Sequence, residues 1–220
     1  MLPIPAKELN GSGALGPYWT FYNAVAAEQL RRWLPRRPAL LLDISGGRGR
    51  WAAQAARRGH QVIEVIDFRR TAEPWLRDAR DDRVRRIRAD DLAFLPDACV
   101  DGVIAEERVL SFELMTESVV EDVARVLRPG GRALLCVDSL VLGMAILAEQ
   151  SYWAHLCQTT DVMLVPWPDG SITRCFSSAQ LRELITSTGL EVEWIRPRTV
   201  LSPSMIDHVI RSGSGSMERL

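Results

Sequence analysis

The sequence predicts an α/β domain wound both ways around a mostly parallel sheet, and three observations carry that prediction. Short apolar runs alternate with helical patterns between residues 40 and 137. The first run breaks into a glycine-rich turn, Ser45-Gly46-Gly47-Arg48-Gly49, and the runs end in carboxylates. Strands alternating with helices build βαβ units, whose strands lie parallel. The 220 residues balance 27 basic against 28 acidic side chains and are 47% hydrophobic. That is enough apolar material for one core, so residues 1–220 are expected to form a single domain.

The elements follow in order. Leu40-Leu41-Leu42-Asp43-Ile44 reads as a buried parallel strand, and Trp51-Ala52-Ala53-Gln54-Ala55-Ala56 as a helix stopped by Gly59. Val62-Ile63-Glu64-Val65-Ile66 is the second strand, residues 85–89 the third, and Val100-Asp101-Gly102-Val103-Ile104-Ala105 the fourth. Ser118 and Glu121 have capping-box spacing, and the helix they open closes at Arg128-Pro129-Gly130-Gly131. Residues 133–137 are the fifth strand, and residues 139–158, apolar and aromatic, are expected to be helical. A turn at Pro168-Asp169-Gly170 precedes a helix capped by Ser177 and Gln180 and ending near Gly189. Residues 190–195 and 205–210 read as two further strands, an antiparallel C-terminal edge pair that brings the sheet to seven. Residues 212–216, alternating Ser and Gly, read as a flexible tail.

Several classes are excluded. A net charge of −1 lacks the basic surplus that phosphate tracking requires, so no nucleic-acid partner is expected. The longest charge-poor stretch, residues 133–148, is shorter than the roughly 20 residues of a membrane span and contains Asp138. No basic-then-apolar leader is visible, so a cytoplasmic protein without membrane contact is expected. Cys99, Cys136, Cys157 and Cys175 include no C-x-x-C pair, which favours free thiols over a metal site. Lys7 is the only lysine, and the arginines, including the pairs at 31–32, 36–37, 57–58, 69–70 and 85–86, read as solvated faces.

In open α/β sheets ligands bind outside the carboxyl ends of the strands, where strand order reverses. Those ends carry Asp43, Asp67, Asp90 and Glu106. Gly46, Gly47 and Gly49 let backbone approach a ligand with no Cβ between them. An acid ending strand two suits the hydroxyls of a ribose; Asp67 is preferred to Glu64 because it ends the apolar run. Asp90, with the Asp91 amide, can accept from an exocyclic amine and donate to a ring nitrogen. The pattern describes an adenosine site.

The stretch Leu41-Leu42-Asp43-Ile44-Ser45-Gly46-Gly47-Arg48-Gly49 resembles the first motif of class I S-adenosylmethionine-dependent methyltransferases. Asp67 falls at that family's ribose acid, Ala89-Asp90-Asp91-Leu92 is similar to its adenine loop, and residues 126–132 resemble its turn before strand five. The helix from Ser177 completes the series, which spans residues 38–195. No Pro-Pro-Tyr follows strand four, so the resemblance is to the small-molecule branch. It implies a Rossmann-like methyltransferase fold, S-adenosylmethionine as cofactor, a small-molecule acceptor with an O, N or C nucleophile, and a monomer or homodimer. It assigns Asp43, Ser45, Gly46, Gly47, Gly49, Asp67, Asp90, Asp91 and Glu106 to the cofactor. Residues 1–37 become an N-terminal helical cap, with Tyr18, Trp19 and Tyr22 either over the cofactor or on a helix packed on the sheet edge, and residues 139–175 an insertion covering the acceptor. The sequence departs from the family at Ser45, which stands where the first glycine belongs.

For chemistry, His155 and Glu106 are the candidate general bases. Tyr152 and His155 would share a helix face, and Trp153 and Trp167 would build an aromatic acceptor pocket. Glu106-Glu107-Arg108 reads either as a solvated loop with a local ion pair, or as placing Glu106 or Glu107 in the acceptor pocket to bind a cationic amine or act as a base. His60 is expected to be exposed and His208 structural. Three alternatives stay open: a nicotinamide dinucleotide, from Gly47-x-Gly49-x-x-Ala52 with Asp67; a degenerate member that binds a ligand or partner without methylating it; and a member that uses the cofactor for non-methyl chemistry.

Overall fold

The computed structural model describes residues 16–46, 49–66, 81–113, 115–156, 162–167 and 170–198, with Met205 and His208. Gly47, Asp67, Cys157, the Pro168-Asp169 turn and the tail at 212–216 lie outside the described residues.

Five parallel strands form the central sheet: β1 (Leu40–Asp43), β2 (Gln61–Ile66), β3 (Val84–Arg88), β4 (Val100–Ala105) and β5 (Leu127–Leu135), in the order β3-β2-β1-β4-β5. Order reverses between β1 and β4, where Leu42 pairs with Val103 and Asp43 with Ile104. Successive strand residues face opposite sides, so the near-continuous apolar runs feed two cores. Leu42, Val103 and Ala105 pack under α4 (Thr116–Val126) and α7 (Ser178–Thr186). Leu41, Ile104 and Leu134 pack under α1 (Gly16–Trp33) and α2 (Arg50–Ala56). Gly102 permits the second contact, because a Cβ there would stand 2.9 Å from Leu41 Cδ2 and 3.0 Å from Trp33 Cη2.

A third apolar cluster lies beyond the carboxyl end of β5. The first turns of α1 (Tyr18, Trp19, Phe21, Tyr22) meet Cys136, α5 (Leu140–Glu149) and Trp167. Trp167 belongs to the hairpin between β7 (Met163–Pro166) and β8 (Ile172–Phe176), which with β6 (Asp138–Ser139) makes a second, three-stranded sheet. The α5 helix crosses β8 closely: a Cβ at Gly143 would fall 2.7 Å from Cys175 Sγ. Cys136 and Cys175 are buried free thiols. No helix among the described residues is long and apolar enough to cross a membrane.

Several expectations are corrected. Residues 190–195 carry no strand, and Met205 and His208 are helical, so the edge pair and the seven-stranded count do not appear among the described residues. Alternating apolarity in 190–195 reflects docking without a ladder: Leu190 and Val192 pack on the sheet core while Glu193 pairs with Arg132 of β5 at 3.3 Å. Helix α4 starts two residues before Ser118, because the Thr116 hydroxyl donates to the Leu110 and Glu113 carbonyls and ties the start to α3 (Val109–Phe112). The predicted long helix breaks after Glu149, with Ser151 at φ 60°, into α5 and the short α6 (Trp153–Leu156). His60 is buried, 1% exposed, not solvated; the chain turns inward there after Gly59 at φ 90°.

Candidate functional site

The Asp43 carboxylate ends β1 and is fully buried. Its Oδ1 accepts from the Ser45 N–H at 2.9 Å. Burial pushes its pKa up to about 7, against hydrogen bonds from the Ser45 side chain and backbone and the Ala52 backbone that favour the charged form. The Ser45 side chain does not project into the turn. It is buried, and its Oγ accepts the Glu106 N–H at 2.9 Å, stitching the end of β1 to the end of β4. Gly46 follows in the left-handed region at φ 91°, with no atom within 4 Å of where a Cβ would be. Gly46 thus presents bare backbone beside open space at the switch point, which fits the methionine end of S-adenosylmethionine.

Glu64 was the alternative ribose acid, and the structure commits it elsewhere. Its Oε1 accepts the Gly49 N–H at 2.6 Å and its Oε2 the Arg86 Nε at 2.8 Å. The side chain therefore clamps the glycine turn onto β2 and β3. Asp90 and Asp91 are both exposed on the loop after β3, and Asp91 Oδ1 accepts from the Ala93 N–H at 3.0 Å. Asp67 lies outside the described residues.

Glu106-Glu107-Arg108 is neither solvated nor a local ion pair. Glu107 and Arg108 both sit at φ 58°, a left-handed pair of non-glycine residues. Each such residue costs roughly 1–2 kcal/mol, so the surrounding contacts must hold the turn. They do so in three directions. Glu107 accepts from Trp51 Nε1 at 3.1 Å, on α2. Arg108, 4% exposed, lies 4.5 Å from the Trp19 ring centroid, 4.4 Å from Trp167 and 4.9 Å from Phe112. Its Nη1 meets Asp138 Oδ2 at 3.3 Å.

Glu106 is fully buried and forms a bidentate pair with Arg198, at 2.7 and 2.8 Å. The same guanidinium donates to Tyr22 Oη at 2.9 Å, Cys136 Sγ at 3.2 Å and Gln29 Oε1 at 2.9 Å. Burial raises the Glu106 pKa and Arg198 opposes the rise. Burial works against the Arg198 charge too, yet Cys136, Tyr22 and Glu106 around it hold the group charged. Burial also lifts the Cys136 thiol to about 11, so it stays protonated at neutral pH.

The structure therefore gathers Asp43, Ser45, Gly46 and Glu106 at one switch point. It leaves Asp90 and Asp91 on the neighbouring loop. His155 belongs to α6, and its side chain lies outside the described part; Tyr152 precedes that helix, so the two do not share a helix face. Trp153 is 60% exposed and Trp167 2%, so the expected tryptophan pair is split and Trp167 pairs with Trp19 instead, centroids 6.0 Å apart. Sequence reading missed Arg198, Asp138 and Cys136, and gave Arg108 a local ion pair where its partner is Asp138. Their partners are 92, 30 and 62 positions away in the pairs with Arg198 and Asp138, and no local spacing announces such contacts.

Residues 42–135, from β1 to β5, match the family model described as a methyltransferase domain. Over that stretch the chain is similar to a methyltransferase domain. The N1-methyltransferase of 1,6-didemethyltoxoflavin from Burkholderia thailandensis, solved with that compound and S-adenosylhomocysteine, is 24% identical over 82% of this chain and 74% of its own, with a TM-score of 0.59. An S-adenosylmethionine-dependent methyltransferase from Mesorhizobium loti is 15% identical over 79% of this chain and 84% of its own, TM-score 0.57. A third, from Methanosarcina mazei, is 17% identical over 76% and 86%, TM-score 0.58. At these identities the methyltransferase structures share the fold. No curated protein matches the chain in sequence.

Proposed function

We propose that this domain moves a methyl group from S-adenosylmethionine to an O, N or C nucleophile of a small molecule. The observation that carries the reading is the switch point itself: a buried carboxylate at Asp43, a bare left-handed Gly46 and the hydroxyl bridge from Ser45 to Glu106 converge there. The likeness to a methyltransferase solved with a small-molecule ligand supports the acceptor class.

When bound, S-adenosylmethionine supplies a methyl group made electrophilic by its sulfonium. Asp43 and the turn from Ser45 through Gly46 and Gly47 to Gly49 hold the methionine end. Asp67 takes the ribose hydroxyls, since Glu64 is already engaged, and Asp90 with Asp91 takes the adenine. Glu106 lies on the acceptor side, its charge balanced by Arg198. The chain contributes positioning and exclusion of water, and α1 with the second sheet supplies the cover. A base is required only where the nucleophile still holds its proton in the transition state. His155 is the residue proposed to receive it, because Arg198 occupies both oxygens of Glu106.

Hydrogen exchange with and without S-adenosylhomocysteine tests this placement. Protection is expected at residues 43–49, 65–68, 90–93 and 105–107. Protection confined to other segments would overturn the residue assignments.

A further inference from the structure

Two buried polar atoms on the first turn of α1 have no partner: Tyr18 Oη and Trp19 Nε1. Tyr18 is 1% exposed and Trp19 9%. A hydroxyl or indole N–H buried without a partner is costly and rare, and each such group calls for an explanation. Their rings pack together, Tyr18 edge-on to Trp19 with centroids 4.9 Å apart, and Tyr18 tilted to Trp167 at 6.2 Å. The groups whose charges act on the Tyr18 hydroxyl are Asp138, Arg108, Cys136 and Arg198. The ionised ones, Asp138, Arg108 and Arg198, belong to two ion pairs, Arg108–Asp138 and Arg198–Glu106, just beyond β4 and β5, and the neutral Cys136 thiol accepts from Arg198. The unpartnered hydroxyl thus stands beyond the carboxyl ends of β4 and β5, among charges that are already matched.

We propose that Tyr18 is an acceptor-binding residue, donating a hydrogen bond to a carbonyl or hydroxyl oxygen of a planar, uncharged methyl acceptor, with Trp19 Nε1 as a second donor. The inference rests on the small-molecule reading above and deepens it to a substrate class. Planarity follows from the aromatic surroundings, since Tyr18, Trp19 and Trp167 offer ring faces and edges. Neutrality follows from the ion pairs: a charged ligand brought between them would be buried without a counter-charge. The phenol stays protonated because burial raises its pKa, so it is available as a donor.

Three matched probes test the class: 2-naphthol, 2-naphthoate and 2-naphthylmethylammonium, titrated by ligand-observed NMR into protein saturated with S-adenosylhomocysteine. Naphthol is expected to bind about tenfold tighter than either ion, and Tyr18→Phe to weaken naphthol about fivefold while leaving the ions unchanged, as for one lost hydrogen bond. Equal affinity of a charged probe, no binding of any probe, or an unaltered naphthol affinity in Tyr18→Phe would each overturn the proposal. Thermal unfolding of the unliganded variant gives a second readout. Removing an unpartnered hydroxyl leaves Tm unchanged or raises it, whereas a clear fall in Tm would show that the hydroxyl is bonded within the fold. Failure of S-adenosylhomocysteine to bind at the outset would count against the methyltransferase reading itself, which separates the two failures.

Discussion

At the scale of single residues, Asp43 carries the most specific consequence. A carboxyl raised to about 7 by burial is largely neutral at pH 6 and largely ionised at pH 8. The ligand proposed for it has a net positive charge, so the ionised form binds better and affinity rises with pH. The predicted gain for S-adenosylmethionine between pH 6 and 8 is about tenfold, the linkage expected when one ionised group is required. Calorimetric titration at the two pH values checks it, with Asp43→Asn as the control that should lose the dependence. A flat wild-type profile would place the cofactor charge away from Asp43. Ser45 makes a different point at this scale. From sequence it is a side chain where glycine is expected, either an obstruction or small enough to be tolerated; in the fold its hydroxyl is buried as the brace between β1 and β4. Orientation decides between those readings, and a motif does not record orientation.

At the scale of elements, what was legible in the sequence were the pieces defined by local chemistry. Strand β4 has its expected bounds, α2 stops before Gly59, and Ser177 with Gln180 forms the capping box at the start of α7. Each depends on residues within a few positions of one another. The second sheet was not legible as a sheet, because β6 has two residues and its partner β8 lies far along the chain. The segment at 190–198 was misread because one buried side looks the same in a docked strip as in a strand. What holds that segment is Arg198, and its removal tests the point. Arg198→Ala leaves the Glu106 carboxylate buried and unpaired, which costs about 3–5 kcal/mol. Adding Glu106→Gln should recover most of that loss in a double-mutant cycle read by urea denaturation. Independent, additive effects would show that the pair does not anchor the segment.

At the scale of the whole molecule, the near-neutral charge conceals a sorted distribution. Many arginines are at the surface as expected, such as Arg31 and Arg32 against Glu28. Arg108 is instead buried and Arg198 partly buried beside the switch point, each matched to a buried carboxylate. The parallel sheet supplies the carboxyl-end crevice, and α1 with the second sheet closes one side of it with aromatic rings. The sequence therefore revealed the cofactor half of the site through its turn and strand-end acids, while the acceptor half depends on contacts between distant segments. The central claim is that the crevice binds S-adenosylmethionine through the bare backbone at Gly46. Calorimetric titration of wild type and Gly46→Val tests it most directly, since a β-branched residue at φ 91° distorts the turn. The account predicts one cofactor bound per chain and at least a tenfold loss in the variant; no heat of binding from folded wild-type protein, or equal affinity in the variant, would contradict it.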